Sequence, residues 1–324
     1  MKYINILLLL LFLANCQAQS DKLLLDKQLI ADWSKYPIYS RLVQDYDGVP
    51  KWKKKFRYLD SIEVYRITYL SDGLQIKGLL AKPKKAGNYP CVIFNRGGSK
   101  DFGALQVTHG VFTLGRIAKE GYAVIASQYR GNGGSEGREE FGGKDVNDVV
   151  ALTEVLKEVE GADPNRIGMY GWSRGGMMTY IALTKTDKIK AAVVGGAVSD
   201  NRASIKDRPE METNVLAELI PNYQAQKEEE LDKRSAIKWV DQFPTDVPIL
   251  LLHGNADWRV KPEQSLTLAL EFEKYRIPYR LIMFEGGDHS ISEHRTEVNE
   301  QVMRWFDKYL KSTEPLPNMK YHGG

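Results

Sequence analysis

Cysteine is scarce: the 324 residues contain two, Cys16 and Cys91. Cys16 falls in an N-terminal segment that export would remove or modify, so no disulfide framework can be drawn within the mature chain. Cys91 lies in an apolar run and reads as a small buried hydrophobe rather than a reactive thiol. Histidine is scarce too, with five. No His, Cys and Asp residues cluster at ligand spacing, so no metal and no cofactor is expected. An excess of either charge is missing: the formal net charge is +3, and Lys51–Lys55 is the only local basic cluster. That cluster reads as a solvated loop, and no nucleic-acid partner is expected. No internal repeat or low-complexity tract is present.

What remains is a composition of 43% hydrophobic and 27% charged residues, that of an ordinary globular protein with room for one large α/β domain or two small ones. The N-terminus reads as a targeting segment. Lys2 supplies a positive start, and Ile4 to Leu13 form an apolar stretch too short to span a bilayer. Two ends to this segment compete. Leu13-Ala14-Asn15-Cys16 resembles a bacterial lipobox with Cys16 as the lipid-bearing membrane tether, although Asn15 stands where a small Gly, Ala or Ser is usual. The other is ordinary cleavage after Ala18. Either implies an exported protein, periplasmic or extracellular, with residues 1–18 outside the fold.

Residues 19–60 carry many aromatics without a clear period and are expected to form a helical or irregular extension packed on the main domain. Residues 61–70 alternate as a strand, Ser71-Asp72-Gly73 is a turn, and residues 74–81 form a second strand, giving a hairpin. Beyond residue 90 the rhythm becomes strand, loop, helix. Short apolar runs at 91–94, 122–126, 166–170, 189–197, 247–252 and 279–284 suit strands buried on both faces, with helical patterns between them at 114–120, 145–160, 262–275 and 292–310. This predicts a mostly parallel sheet with an antiparallel start and helices on both faces, within residues 61–312. Residues 199–246 interrupt the rhythm, are polar and helix-prone, and are expected to form a lid over the pocket mouth, the alternative being a surface excursion away from the site. Residues 313–324 read as a loose tail.

The most informative stretch is Gly171-Trp172-Ser173-Arg174-Gly175, set between an apolar run and a helix-forming stretch. A Gly-x-Ser-x-Gly in that setting is a nucleophile elbow: the turn lifts the serine hydroxyl clear of the sheet, at the N-terminus of a helix whose dipole favours negative charge. Gly171 and Gly175 are expected where a Cβ would strike a neighbouring strand or helix. A serine hydroxyl needs a base in hydrogen-bond reach, and the base needs an orienting acid. Asp257 follows the apolar run at 247–252, in His253-Gly254-Asn255-Ala256-Asp257, and is the candidate acid. His289 follows the run at 279–284, in Glu285-Gly286-Gly287-Asp288-His289, and is the candidate base. His253 is expected to be structural, and His294 to lie in or near the following helix. The tetrahedral oxyanion requires two donors. One is expected from the backbone N–H of Arg174, the other from Asn95, Arg96 or Gly97 in the loop after the 91–94 run.

These residues resemble the catalytic domain of the prolyl oligopeptidase (S9) family of serine peptidases, within the α/β-hydrolase fold. The resemblance covers roughly residues 75–312. Beyond the elbow it rests on Tyr129-Arg130-Gly131-Asn132-Gly133-Gly134-Ser135, on Gly142-Gly143-Lys144-Asp145-Val146-Asn147-Asp148, and on Asp163-Pro164-Asn165-Arg166-Ile167-Gly168. The segments ending in Asp257 and His289 complete it. It implies Ser173 as nucleophile, Asp257 as acid and His289 as base. The chain departs from the family in two places. Residues 1–60 are too few for the N-terminal propeller of larger members, so gating and amino-terminus recognition do not carry over. The loop Asn95-Arg96-Gly97-Gly98 differs from the His-Gly-Gly form common in the fold. The expected function is an exported serine hydrolase cleaving small peptides through an acyl-enzyme on Ser173. The runner-up is a carboxylesterase or acetyl esterase, and a reading of another class is a non-catalytic envelope binding protein.

Overall fold

A computed structural model describes residues 22–323. The calls on the targeting segment, on Cys16 and on cleavage after Ala18 lie outside the described residues. Eleven strands are present among them, nine of which form one sheet. In chain order they are β1 (Leu24–Leu29), β2 (Val43–Tyr46), β3 (Val49–Trp52), β4 (Ile62–Ser71), β5 (Leu74–Pro83) and β6 (Tyr89–Asn95). There follow β7 (Ala123–Ser127), β8 (Ala162–Trp172), β9 (Ile189–Gly195), β10 (Ile249–Gly254) and β11 (Tyr279–Phe284). The sheet order is β1-β4-β5-β7-β6-β8-β9-β10-β11. β1, β4, β5 and β7 pair antiparallel, and from β7 to β11 every pairing is parallel. This is the α/β-hydrolase architecture, a mostly parallel sheet with an antiparallel start.

The β4–β5 hairpin turns at Asp72 and Gly73, with φ of +50° and +77°. Both central residues are left-handed, as the tight primed turns that match strand twist require. In the parallel block the strands alternate between two cores. Cys91 and Ile93 face one, with Val146, Leu152, Met177 and Phe272 from the helices on that side. Val92 and Phe94 face the other, with Val111, Leu114, Val302 and Phe306. Every residue of β6 beyond Tyr89 is buried, which accounts for its unbroken apolar character.

The chain enters the parallel block at β6, steps to β7 on one side, and then returns past β6 to β8 on the other. The order therefore reverses between β6 and β8, and a crevice opens outside the carboxyl ends of those two strands. Asn95 and Trp172 end them.

The N-terminal stretch differs from expectation. Residues 24–29 form β1, which pairs with β4 at the sheet edge, and residues 43–52 form the small β2–β3 hairpin. Only Leu24 of β1 is buried, so the strand carries no alternating signature in the sequence. The helix expected at 114–120 begins earlier, so that residues 107–118 are helical with a widened turn at Gly110–Leu114. Gly110 and Gly115 weaken the helical pattern there, yet both are packed: an added Cβ at Gly110 would stand 2.6 Å from Val64 Cγ1. Residues 199–246 fold as short helices whose apolar side chains, among them Leu216, Tyr223, Leu231 and Phe243, join the first core. Phe243 stacks on Trp239 and meets Tyr180 and Phe272 edge-on. No helix among the described residues is long and apolar enough to cross a membrane.

Candidate active site

Ser173 joins β8 to the helix Arg174–Leu183 and has φ +57° and ψ −127°. A serine pays for that conformation, and such strain persists only where the surroundings over-determine it. Here they do. Ser173 N–H donates to Gly195 O at 2.8 Å. A Cβ at Gly171 would lie 2.1 Å from Gly175 O, and one at Gly175 would lie 2.0 Å from Asn95 O. The turn thus presses the helix N-terminus onto the end of β6 more closely than any side chain permits.

Asp257 lies on the turn after β10 and is buried. Its Oδ1 accepts from the N–H groups of Arg259 (2.8 Å) and Val260 (3.0 Å), which fixes the carboxylate plane. Its Oδ2 accepts from His289 Nδ1 at 2.7 Å. Burial alone would raise the Asp257 pKa, but bonds from His253, His289 and the Val260 N–H outweigh it and hold the group well below the usual carboxylate range. Asp257 is therefore an anion, and the proton of His289 sits on Nδ1, leaving Nε2 as the basic nitrogen. His253 is fully buried. Its Nε2 faces Val260 O at 2.9 Å and Asp257 Oδ2 at 3.4 Å, and its Nδ1 faces Ser265 Oγ at 2.6 Å. Since a carbonyl can only accept, Nε2 carries a proton and braces the acid loop, a structural post as expected. Asp288 instead caps its own turn through Ser290 N and Ser292 N, and His294 ends the short helical turn before the helix Arg295–Phe306.

The elbow and the acid–base pair meet around one peptide. Gly195 O receives the Ser173 N–H, while a Cβ at Gly196 would lie 3.4 Å from both Asp257 Oδ2 and His289 Nδ1. A second link runs directly across: Trp172 Nε1 donates to His289 O at 2.7 Å. The residue before the serine thus holds the backbone of the histidine. Sequence reasoning missed this bond, since a tryptophan at the second elbow position signals nothing about its partner.

The three residues named for the second oxyanion donor separate. Asn95 belongs to β6, opposite Gly171, and its amide donates to Thr179 Oγ1 at 2.9 Å. The Arg96 guanidinium is buried and bonds Gln128 O and Gly97 O. Gly97 is the one against the serine: its added Cβ would stand 3.3 Å from Ser173 Cβ. The Arg174 side chain is also buried, ion-paired with Glu139 and, at 2.5 Å, with Asp145, pairings that the sequence did not point to. The arrangement offers a hydroxyl at a helix N-terminus, an imidazole whose Nε2 is left free by the Nδ1 bond to Asp257, and backbone N–H groups on two sides, the parts that acyl transfer needs.

A family model described as "Prolyl oligopeptidase family" matches residues 109–313. The chain is similar to the uncharacterized peptidase YtmA of Bacillus subtilis (strain 168), 29% identical over 252 residues, covering 78% of this chain and 94% of that protein. It is 25% identical over 249 residues to the acylamino-acid-releasing enzyme of Rattus norvegicus, covering 72% of this chain but 33% of that one. Among solved structures, the Pyrococcus horikoshii acylaminoacyl peptidase superposes with a TM-score of 0.69 at 25% identity, covering 85% of this chain and 47% of that one. An acetyl xylan esterase from Paenibacillus sp. R4 superposes with a TM-score of 0.62 at 20% identity, covering 93% of this chain and 94% of that one.

Proposed function

The chain belongs to the prolyl oligopeptidase family and is a hydrolase, and from that premise we propose that it is an exported serine peptidase acting on small peptides. Ser173 is the nucleophile, His289 the general base and Asp257 the orienting acid. Nε2 of His289 takes the Ser173 proton as the oxygen attacks the scissile carbonyl. The tetrahedral oxyanion is received by the N–H groups of Arg174 and Gly97. His289 then protonates the leaving amine, and water, activated by the same nitrogen, releases the acyl group. The observation that carries this reading is the Asp257–His289 bond of 2.7 Å, on a histidine whose backbone is tied to the elbow by Trp172. Residues 199–246 act as a lid. They touch the loops after β6 and β7 through Glu218, whose carboxylate meets Lys100 and whose carbonyl accepts from Arg138. They touch the loop after β10 through Arg208, which lies over Trp258. Export rests on Lys2 and the apolar stretch that follows it, with lipid on Cys16 or cleavage after Ala18 as its two outcomes.

A second reading, an ester substrate such as an acetyl ester, has one support: the acetyl xylan esterase matches this chain nearly end to end, a likeness of fold. Hydrolysis of p-nitrophenyl acetate against a panel of peptidyl p-nitroanilides separates the two. Anilide turnover is expected. Strong ester turnover without any anilide turnover rejects the peptidase reading.

A further inference from the structure

Beside the elbow lies a buried cluster of two guanidinium and two carboxylate groups: Arg96 (1% exposed), Arg174 (3%), Glu139 (4%) and Asp145 (0%). It reaches both sides of the crevice between β6 and β8. On the elbow side Arg174 pairs with Glu139 and Asp145. On the loop side Arg174 Nη1 donates to Gly98 O at 2.9 Å, and Glu139 accepts from the Lys100 N–H at 2.9 Å. Arg96 Nη1 donates to Gly97 O at 3.2 Å. The ring of Tyr129 has a guanidinium carbon 4.9 Å away on Arg96 and 5.1 Å away on Arg174, and its hydroxyl donates to Arg96 O at 3.0 Å. Asn132 adds a further bond to Glu139 at 2.8 Å.

Three residues of this neighbourhood, Lys100, Tyr129 and Phe141, are non-glycine with positive φ (+53°, +66° and +48°). Backbone of that kind costs free energy in a non-glycine residue. The cluster also has no acceptor to spare: the donors Arg96 Nη2 and Arg174 Nε are already buried without a partner. Removing one acceptor therefore strands further N–H groups in a place water does not reach, and the backbone must move to relieve them.

We propose that this ion cluster fixes the relative position of the two oxyanion donors, the N–H groups of Arg174 and Gly97, with Glu139 as the positioning residue that joins them. The inference rests on the reading of Ser173 as nucleophile. Charges in the cluster are balanced, so its contribution is geometric. It holds the elbow and the glycine loop at one separation before substrate arrives, when the reorganisation would otherwise be charged to the barrier.

Glu139→Gln keeps the shape and the capacity to accept from Lys100 but loses the charge that holds Arg174. The expected result is a kcat lower by about 10- to 100-fold with KM unchanged, and a similar slowing of fluorophosphonate labelling, whose phosphoryl oxygen uses the same donors. Arg174→Lys should fall between this variant and the wild type. The double variant Glu139→Gln with Arg174→Met should be no worse than the poorer single variant, because each removes the same contact. Wild-type kcat and labelling rate in Glu139→Gln, or losses that multiply in the double variant, overturn the proposal. If the variants fail to fold, a crystal structure of the wild-type fluorophosphonate adduct decides. The phosphoryl oxygen is expected within about 3.2 Å of Arg174 N and Gly97 N, and an oxygen bonded elsewhere overturns the proposal. Wild-type protein that takes no label on Ser173 overturns the reading beneath it as well, whereas label on Ser173 with an indifferent Glu139→Gln overturns this inference alone.

Discussion

In the proposed mechanism Asp257 orients the base, and the structure shows how its charge is held. Two backbone N–H groups and two imidazoles surround it, and each favours the anion. Asp257→Asn would keep the shape but can donate to His289 Nδ1, which moves the imidazole proton to Nε2 and removes the base. A kcat loss of about 10⁴-fold is expected in steady-state assays, with the fold retained by circular dichroism. The same group predicts a pH effect on stability. Its folded pKa is depressed below the ordinary 3.8, so its stabilising contribution is complete above that value and is lost as pH falls further. Denaturant titrations should show an acid limb below that value in the wild type that is shallower in Asp257→Asn; identical limbs would contradict the assignment. The residue was legible because it follows a buried strand. Of its four partners only His289 was legible with it, since Arg259 and Val260 contribute backbone groups and His253 reaches it only through the fold of the turn.

The elbow shows what an element can and cannot reveal in sequence. Glycine at 171 and 175 is a local requirement, visible because a Cβ has nowhere to go at either place. Gly175→Ala would put a methyl 2.0 Å from Asn95 O and is expected to destabilise the protein by about 3 kcal/mol or more, since backbone rather than a movable side chain must yield. A melting temperature equal to wild type would contradict the close approach. The segment 199–246 is the opposite case. Its charge and helix propensity were plain, but its attachment was not, because Tyr180, Trp239, Phe243 and Phe272 come together from separate parts of the chain. Phe243→Ala is expected to cost about 3–5 kcal/mol in chemical denaturation. If the segment works as a lid, KM rises in that variant too, which steady-state kinetics would detect.

For the whole molecule, the order of strands and helices from residue 90 onward could be read directly, because strands buried on both faces leave continuous apolar runs with helical periods between them. Strand β1 could not, since one buried leucine in six residues leaves no alternation. The sites divide in the same way. Ser173, Asp257 and His289 stand at the ends of recognisable strands, whereas Glu139, Asp145 and Trp172 act through contacts that only the closed fold creates. The claim on which the molecule's reading depends is that one alcohol, Ser173, is reactive because of the imidazole on the loop after β11. Fluorophosphonate treatment of the full chain followed by peptide mass mapping tests it most directly. The account predicts a single adduct on Ser173, absent in Ser173→Ala and strongly slowed in His289→Ala. An adduct on another residue, or undiminished labelling of Ser173 without His289, would contradict it.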